Sequence, residues 1–256
     1  MNAPRPRVWL YFGLPHSAEP AAVAAHAAVL DDEERRRMAR FFHPDDGHLF
    51  GFSHIMLRRV LARHVPAPAE RLEFVEGEHG RPELRDGVAG LSFNLSHTRG
   101  VTLVGVSVGG VLGVDVEQRN KSRTTDAIAR RFFSPAEADE FFLISDAAER
   151  FTRFFHLWSL KEALLKARGT GLTTPLSAFT YRFPGPGALT LEFEPRLNDD
   201  AKAWHASLLE TSSEFAAAFS LRAPQAPALE AFTWSLPDLL TPRAVSVLRQ
   251  TPPAQS

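Results

Sequence analysis

The stretch LSFNLSHTRGVTLVGVSVGGVLGVDVEQR, residues Leu91–Arg119, decides how the chain is read. Two β-branched runs, Val101–Val108 and Val111–Glu117, flank Gly109-Gly110. A glycine pair between strands reads as a hairpin, because a tight primed turn needs positive φ. Along the second run Leu112, Val114 and Val116 share one face, and Asp115 and Glu117 share the other, since side chains alternate with period two. Two carboxylates on one face repel. A magnesium ion, which takes one or two carboxylates plus waters and phosphates, would offset that. So would a solvated acidic strand end.

Downstream, FFHLWSLKEALLKARGTGL (Phe154–Leu172) has helical periodicity. At 3.6 residues per turn Trp158, Glu162 and Lys166 fall within about 80° of one another. Leu157, Leu160 and Leu164 lie roughly opposite, as a core-facing stripe should. Gly169 and Gly171 supply a C-terminal stop. An ordinary surface helix with one i,i+4 Glu–Lys pair has the same pattern.

The 256 residues suit one large or two small domains. A net charge of −1 gives no field for nucleic acid, and the absence of cysteine excludes disulfides and thiolate metal sites. The apolar run Val8–Phe12 is too short for a signal peptide or a membrane span and reads as a strand, so a cytoplasmic protein without membrane attachment is expected. A helix is expected near 19–29 and again over Asp46–His64, with a strand at Leu72–Glu76. Helices follow at Thr124–Arg130, Pro135–Leu143 and Ala147–Arg168, then strands at Phe179–Phe183, Ala188–Phe193, Ala203–Glu210 and Glu214–Leu221. The Pro- and Ala-rich tail from Ala223 is expected to be disordered after about Gln250, and Leu229–Leu248 to hold a strand or short helix.

GVDVE (Gly113–Glu117), WSLKEALLK (Trp158–Lys166), FNLSH (Phe93–His97), Gly80-Arg81-Pro82 and Phe133-Ser134-Pro135 with Glu137 together resemble the surfactin-synthetase-activating class of 4′-phosphopantetheinyl transferases. The likeness runs from about residue 33 to about residue 183. It implies an α+β fold of two similar α/β subdomains in pseudo-twofold arrangement, with the active site between them. The expected divisions are an N-terminal subdomain over 1–120, a C-terminal one over 121–224 and an extension over 225–256. It implies Mg-dependent transfer of phosphopantetheine from coenzyme A to a serine of an apo-acyl or peptidyl carrier protein, releasing adenosine 3′,5′-bisphosphate. A monomer is implied too. A non-catalytic coenzyme A or carrier-binding module, or a Mg-dependent phosphohydrolase, would use the same residues.

The resemblance assigns Asp115, Glu117 and Glu162 to magnesium. Asp115 and Glu162 count as catalytic, with Glu162 or a water it polarises as general base, and Lys166 stabilises charge at the pyrophosphate. Ser96 and His97 would meet the nucleotide phosphates, Arg81 the adenine end, and Lys161 the bound coenzyme. Asn94 would fix the turn, and Trp158 would wall the site. Arg40, with Arg35–Arg37, would meet a 3′-phosphate or an acidic carrier helix, or merely be solvated. The pairs Phe132–Phe133 and Phe141–Phe142 are core, or partly a carrier surface. One departure is plain. The family's D-x-x-R arginine is Leu49 here, which implies weaker discrimination for the 3′-phosphate.

Overall fold

The computed structural model describes residues 4–77, 81–120 and 125–252, the side chain of Leu172 excepted. Gly80, Thr124 and residues 253–256, expected in a motif, at a helix start and in a disordered end, lie outside the described residues. In chain order the elements are β1 (Arg7–Gly13), α1 (Pro20–His26), α2 (Asp32–Arg40), α3 (Pro44–Leu61), β2 (Phe74–Glu76), β3 (Pro82–Leu84), β4 (Leu91–Thr98), β5 (Val101–Val108) and β6 (Val111–Gln118). Then come α4 (Thr125–Phe132), α5 (Pro135–Leu143), α6 (Ala147–Arg168), β7 (Phe179–Arg182), β8 (Thr190–Phe193), β9 (Trp204–Leu209), β10 (Phe215–Arg222), β11 (Ala228–Ser235), β12 (Leu239–Arg243) and β13 (Val247–Gln250).

Local chemistry sets the helix ends. Asp31 and Glu34 close a capping box on α2, and Ser134 and Glu137 close one on α5, with Pro135 in the first turn where no N–H is needed. The Asp146 side chain accepts from Glu149 N at the start of α6. Gly169, at φ +68°, ends that helix in the left-handed conformation.

The strand pairing corrects the expected hairpin. β5 pairs with β1 and β4, while β6 pairs with β10 in another sheet. The tight turn lies one strand earlier, at Arg99–Gly100, where Thr98 faces Val101 and Gly100 has φ +96°. At Gly109-Gly110 the chain instead crosses from one sheet to the other. β5 and β6 pack face to face: a Cβ on Gly105 would lie 2.5 Å from Val114 Cγ1 and 2.8 Å from Leu112 Cδ2. The crossover therefore falls before β6, earlier in the chain than the expected division near residue 120.

The two halves repeat one order of elements. A strand (β1 or β6) leads to a long helix (α3 or α6), a short ribbon (β2–β3 or β7–β8) and a hairpin (β4–β5 or β9–β10) whose second strand pairs with the first strand of the half. This is the two-subdomain α+β arrangement. The tail, expected as an appended extension, supplies strands to both sheets. β11 lies parallel to β1 with β12 beyond it, and β13 lies antiparallel to β9. Gln250 ends β13, and the Thr251 hydroxyl next to it accepts from Ala206 N at 3.0 Å.

The layers run helix, sheet, sheet, helix. Val8, Leu10, Phe12, Leu112, Val114, Phe219 and Leu221 fill the space between the sheets. Tyr11, Val104 and Val106 face α3 residues such as Phe52, Ile55 and Met56. Ala206, Leu208 and Ala218 face α6 residues such as Leu157, Leu160 and Leu164. Period-two alternation along each strand produces both faces. Among the described residues no helix is long and apolar enough to cross a membrane.

Candidate active site

The site forms where β4 of the first half meets β6 and α6 of the second. Gly113 makes it possible. A Cβ there would lie 2.1 Å from Ala163 O and 2.3 Å from Ala167 N, so α6 rests directly on the strand. Asp115 and Glu117, two and four residues on, share that face of β6 and so meet the helix. Lys166 Nζ donates to Asp115 Oδ1 at 2.7 Å and to Ser96 Oγ at 2.9 Å. Ser96 donates to the same Oδ1 at 3.1 Å. Asp115 is 3 % exposed, and its Oδ2 is buried with no hydrogen-bond partner among the described residues. Trp158 Nε1 donates to Glu117 Oε1 at 3.1 Å. Trp158 thus orients a carboxylate while packing on Phe154 at 5.8 Å.

The facing halves are laced together by side chains. Ser92, Asn94 and Ser96, alternate residues of β4, accept from the backbone N–H groups of Leu112, Val114 and Val116 at 3.1, 3.0 and 3.2 Å. These are the N–H groups of β6 that do not face β10. Polar side chains replace a backbone ladder between the two edge strands, which satisfies buried donors that would otherwise be costly. Asn94 therefore bridges strands rather than fixing the turn. Ser96 Oγ accepts from Val116 N and Lys166 Nζ and donates to Asp115.

Arg81 is likewise tied into the protein, while also lining a cleft. Its guanidinium donates to Lys166 O, Ala167 O, Ser92 Oγ, Phe93 O and Leu112 O at 2.8–3.1 Å. It closes the C-terminal end of α6 onto β4 and β6 instead of reaching outward, and burial lowers its pKa. A cleft of about 390 Å³ opens beside it, lined by Pro82, Leu84, Phe93, Val111 and Gly169.

His97, next to last in β4, is exposed at the rim. Its pKa lies below the usual value, first through desolvation and then through His54, Lys166 and Arg37. A cationic corner drawn from α2, α3, β4 and α6 thus stands beside Asp115. His54 was missed by sequence reading. It stacks on Phe50 with centroids 4.0 Å apart, and Arg37 lies 5.1 Å over the same ring. Arg37, rather than Arg40, faces the corner; Arg40 is exposed with no polar partner among the described residues.

Three further expectations change. Lys161 is fully buried, 2.7 Å from Glu137 and from the carbonyls of Leu176 and Phe179, so its ammonium is turned into the interior. Its 100° offset from Glu162 on the helix turns it into the core. Leu49 lines a separate cavity of about 440 Å³ with His16, Asp46 and Arg99, so an arginine there would not join the His97 corner. Phe133 and Phe141 are core, while Phe132 and Phe142 are half-buried under Arg131 and Arg130.

Among the described residues no three His, Asp or Glu side chains form a ready cluster for a metal ion, so the expected convergence of Asp115, Glu117 and Glu162 is not seen as it stands. Asp115 nevertheless fits a hard cation. One oxygen is taken by Lys166 and Ser96, and the other is buried and unpartnered.

The family model described as the 4′-phosphopantetheinyl transferase superfamily matches residues 111–220, and that described as 4′-phosphopantetheinyl transferase, N-terminal, matches residues 16–107. The 4′-phosphopantetheinyl transferase Sfp of Bacillus subtilis is 31 % identical over 165 residues, covering 64 % of this chain and 71 % of that one. The 4′-phosphopantetheinyl transferase psf-1 of Bacillus pumilus is 35 % identical over 160 residues, covering 62 % and 66 %. The crystal structure of Thermotoga maritima holo-[acyl-carrier-protein] synthase matches with a TM-score of 0.37 and 23 % identity, over 48 % of this chain and 67 % of that one, a likeness too remote to place residues.

Proposed function

The chain belongs to the 4′-phosphopantetheinyl transferase superfamily, as a surfactin-activating-type enzyme, and on that premise we propose how its residues carry the reaction. Coenzyme A gives its phosphopantetheine to the serine hydroxyl of an apo-carrier protein. The serine oxygen attacks the phosphorus that bears pantetheine, the bond to the bridging pyrophosphate oxygen breaks, and adenosine 3′,5′-bisphosphate leaves. Transfer of this kind is mostly positioning and charge neutralisation.

Lys166 supplies the central positive charge. Asp115, 2.7 Å from its ammonium, aims it at the junction between the halves. Arg37 extends the positive corner, and the rings of His97 and His54 would offer N–H groups to phosphate oxygens. The cleft beside Pro82 and Phe93 would take the nucleotide end. Magnesium, when bound, neutralises charge building on the pyrophosphate; Asp115 Oδ2 would be its first ligand, with Glu117 and Glu162 supplying further oxygens. Glu162, or a water it polarises, would accept the serine proton. Both sides of the site come from one chain, which supports a monomer as the working unit.

The observation that carries this reading is the Lys166–Asp115–Ser96 junction, where a buried carboxylate keeps one oxygen open beside a cationic corner. The test is to incubate the protein with coenzyme A and apo-carrier proteins, with and without magnesium, and to follow nucleotides by chromatography. Adenosine 3′,5′-bisphosphate should appear only when carrier, coenzyme and metal are all present. Its release without a carrier would mark hydrolysis, and its release in excess chelator would remove magnesium from the account.

A further inference from the structure

Each half of the molecule buries one carboxylate–cation pair at the same point of its topology. In the first, Glu34 is the third residue of α2 and closes its capping box. It accepts from Arg58 Nε of α3 at 2.6 Å. Arg58 Nη1 donates on to the carbonyls of Ala69 and Leu72 at 3.3 and 2.8 Å, in the turn before β2, and the guanidinium lies 5.0 Å over Phe74, which opens β2. In the second half, Glu137 is the third residue of α5 and closes its capping box. It lies 2.7 Å from Lys161 Nζ of α6. Lys161 donates on to the carbonyls of Leu176, in the turn before β7, and of Phe179, which opens β7, at 2.7 Å each, and its ammonium lies 4.3 Å over the Phe179 ring. Arg58 and Lys161 are both 0 % exposed.

The first copy stands beside no acidic pair, although its Glu34 Oε1 also lies 2.8 Å from His54 Nδ1. The strand beside α3 reads RVWLYFG and carries no carboxylate, whereas β6 beside α6 carries Asp115 and Glu117. The pair therefore belongs to the fold, as the fastener between the capped helix, the long helix and the ribbon that follows. In the second half that same helix bears Glu162 one residue after Lys161 and Lys166 five residues after it.

We infer that Lys161 is a positioning residue, the second-half counterpart of Arg58, which with Glu137 fixes the rotation and height of α6 so that Glu162 and Lys166 meet β6, and which touches neither coenzyme A nor the carrier. Glu137 reinforces this by also accepting the Tyr181 N–H at 2.7 Å and the Ser134 N–H at 2.9 Å. On its other side α6 is stopped by Gly113, where backbone meets backbone. The helix is held from both sides, so loosening one fastener lets the site-facing residues drift.

The experiment is a double-mutant cycle with Glu137→Gln, Lys161→Met and the two combined, together with Lys161→Arg. It uses full-length protein, apo-carrier and coenzyme A, and it measures kcat, both KM values, the calorimetric Kd for coenzyme A and the melting temperature. The inference rests on the transfer reading, whose failure would show as no turnover by the unaltered protein. Each single variant should lose about tenfold or more in kcat, with KM and Kd for coenzyme A within about twofold of the unaltered protein. The double variant should be no slower than the slower single, because both act through one pair. Lys161→Arg, importing the cation of the first half, should keep the coenzyme affinity and recover most of kcat. A Lys161→Met protein whose Kd for coenzyme A rises about tenfold while Glu137→Gln leaves it unchanged would overturn the inference. So would singles whose losses multiply in the double, or a fall in melting temperature with kcat intact. Where Lys161→Met does not fold, Glu137→Gln and Lys161→Arg decide alone: an unchanged kcat for Glu137→Gln, or a coenzyme Kd raised in Lys161→Arg, would sink it.

Discussion

Gly113→Ala is the smallest change that should separate the two halves of the site. The added Cβ would stand 2.1 Å from Ala163 O and 2.3 Å from Ala167 N. Both are backbone atoms in the last two turns of α6, so no side chain can turn away. Restoring an ordinary contact of about 3.4 Å needs the helix to lift by about 1.3 Å, a form of overpacking that costs about 1–3 kcal/mol or somewhat more. At the upper end that is a drop of about 6–12 °C in melting temperature for a chain of this size. The catalytic effect should be larger. Lys166 rides on α6 and Asp115 on β6, only 2.7 Å apart, and a misplacement of about 1 Å costs about 100-fold in rate. The assay is transfer to an apo-carrier followed by mass spectrometry, beside a thermal melt. Gly185→Ala, where a Cβ would meet nothing within 4 Å, is the control and should leave both values unchanged. A Gly113→Ala protein that melts normally and transfers within about threefold of the unaltered rate would refute the claim that close helix–strand approach assembles the site.

Asp115→Asn should lower kcat by more than about 100-fold, beyond what outer-shell partners of a metal usually cost, while leaving the melting temperature unchanged or raised; a near-normal rate at saturating magnesium would count against it. Acid should destabilise the fold through His156, whose pKa is pushed down to about 3 by burial and then by Arg119, Arg153 and Arg249. Because the folded value lies below the unfolded one near 6.5, stability is full above that pH and falls at about 1.4 kcal/mol per pH unit below it, about 2 kcal/mol by pH 5. Chemical denaturation of His156→Gln across that range should give a flatter line, and equal slopes would reject the assignment. Removing residues 244–256 deletes β13 and the bonds between Gly187, Leu189, Ala206 and Gln250–Thr251, at about 0.5–1.5 kcal/mol each, so a loss of about 3 kcal/mol is expected in denaturant titrations, and unchanged stability would contradict the two-sheet role of the tail. Leu49→Arg should leave the preference for coenzyme A over its 3′-dephospho form unaltered, because position 49 lines the cavity with His16 and Arg99; sharpened discrimination in a binding titration would return it to the phosphate site.

The parts of this molecule written as periodicity were legible. The span of α6, the shared face of Asp115 and Glu117, and the rim position of His97 follow from periods of 3.6 and 2 and from a glycine stop. Pairing was not legible, because Gly109-Gly110 between two β-branched runs reads the same whether the chain doubles back or crosses to another sheet. The discriminating signal lay upstream. Ser92, Asn94 and Ser96 put polar groups on alternate positions of an otherwise apolar strand, as a strand does when its side chains bond another backbone. The internal bonds of Arg81 were not legible because its five acceptors come from three separated places in the chain. Lys161 was drawn toward the coenzyme by its place between two functional residues, although its angle on the helix already pointed into the core. The tail misled by composition. Its prolines hid which strands it forms: Pro242 sits on β12, at the edge of its sheet, where a missing N–H costs nothing.

The most direct measurement is the intact mass of an apo-carrier protein after incubation with coenzyme A, magnesium and either the unaltered enzyme or Asp115→Asn, with a carrier lacking its acceptor serine alongside. The account predicts that the carrier gains the mass of one phosphopantetheine with the unaltered enzyme only, and that the serine-less carrier gains nothing. Transfer sustained by Asp115→Asn, or none by the unaltered enzyme across acyl and peptidyl carriers, would contradict the claim that the junction of Asp115, Lys166 and Ser96 is where the reaction takes place.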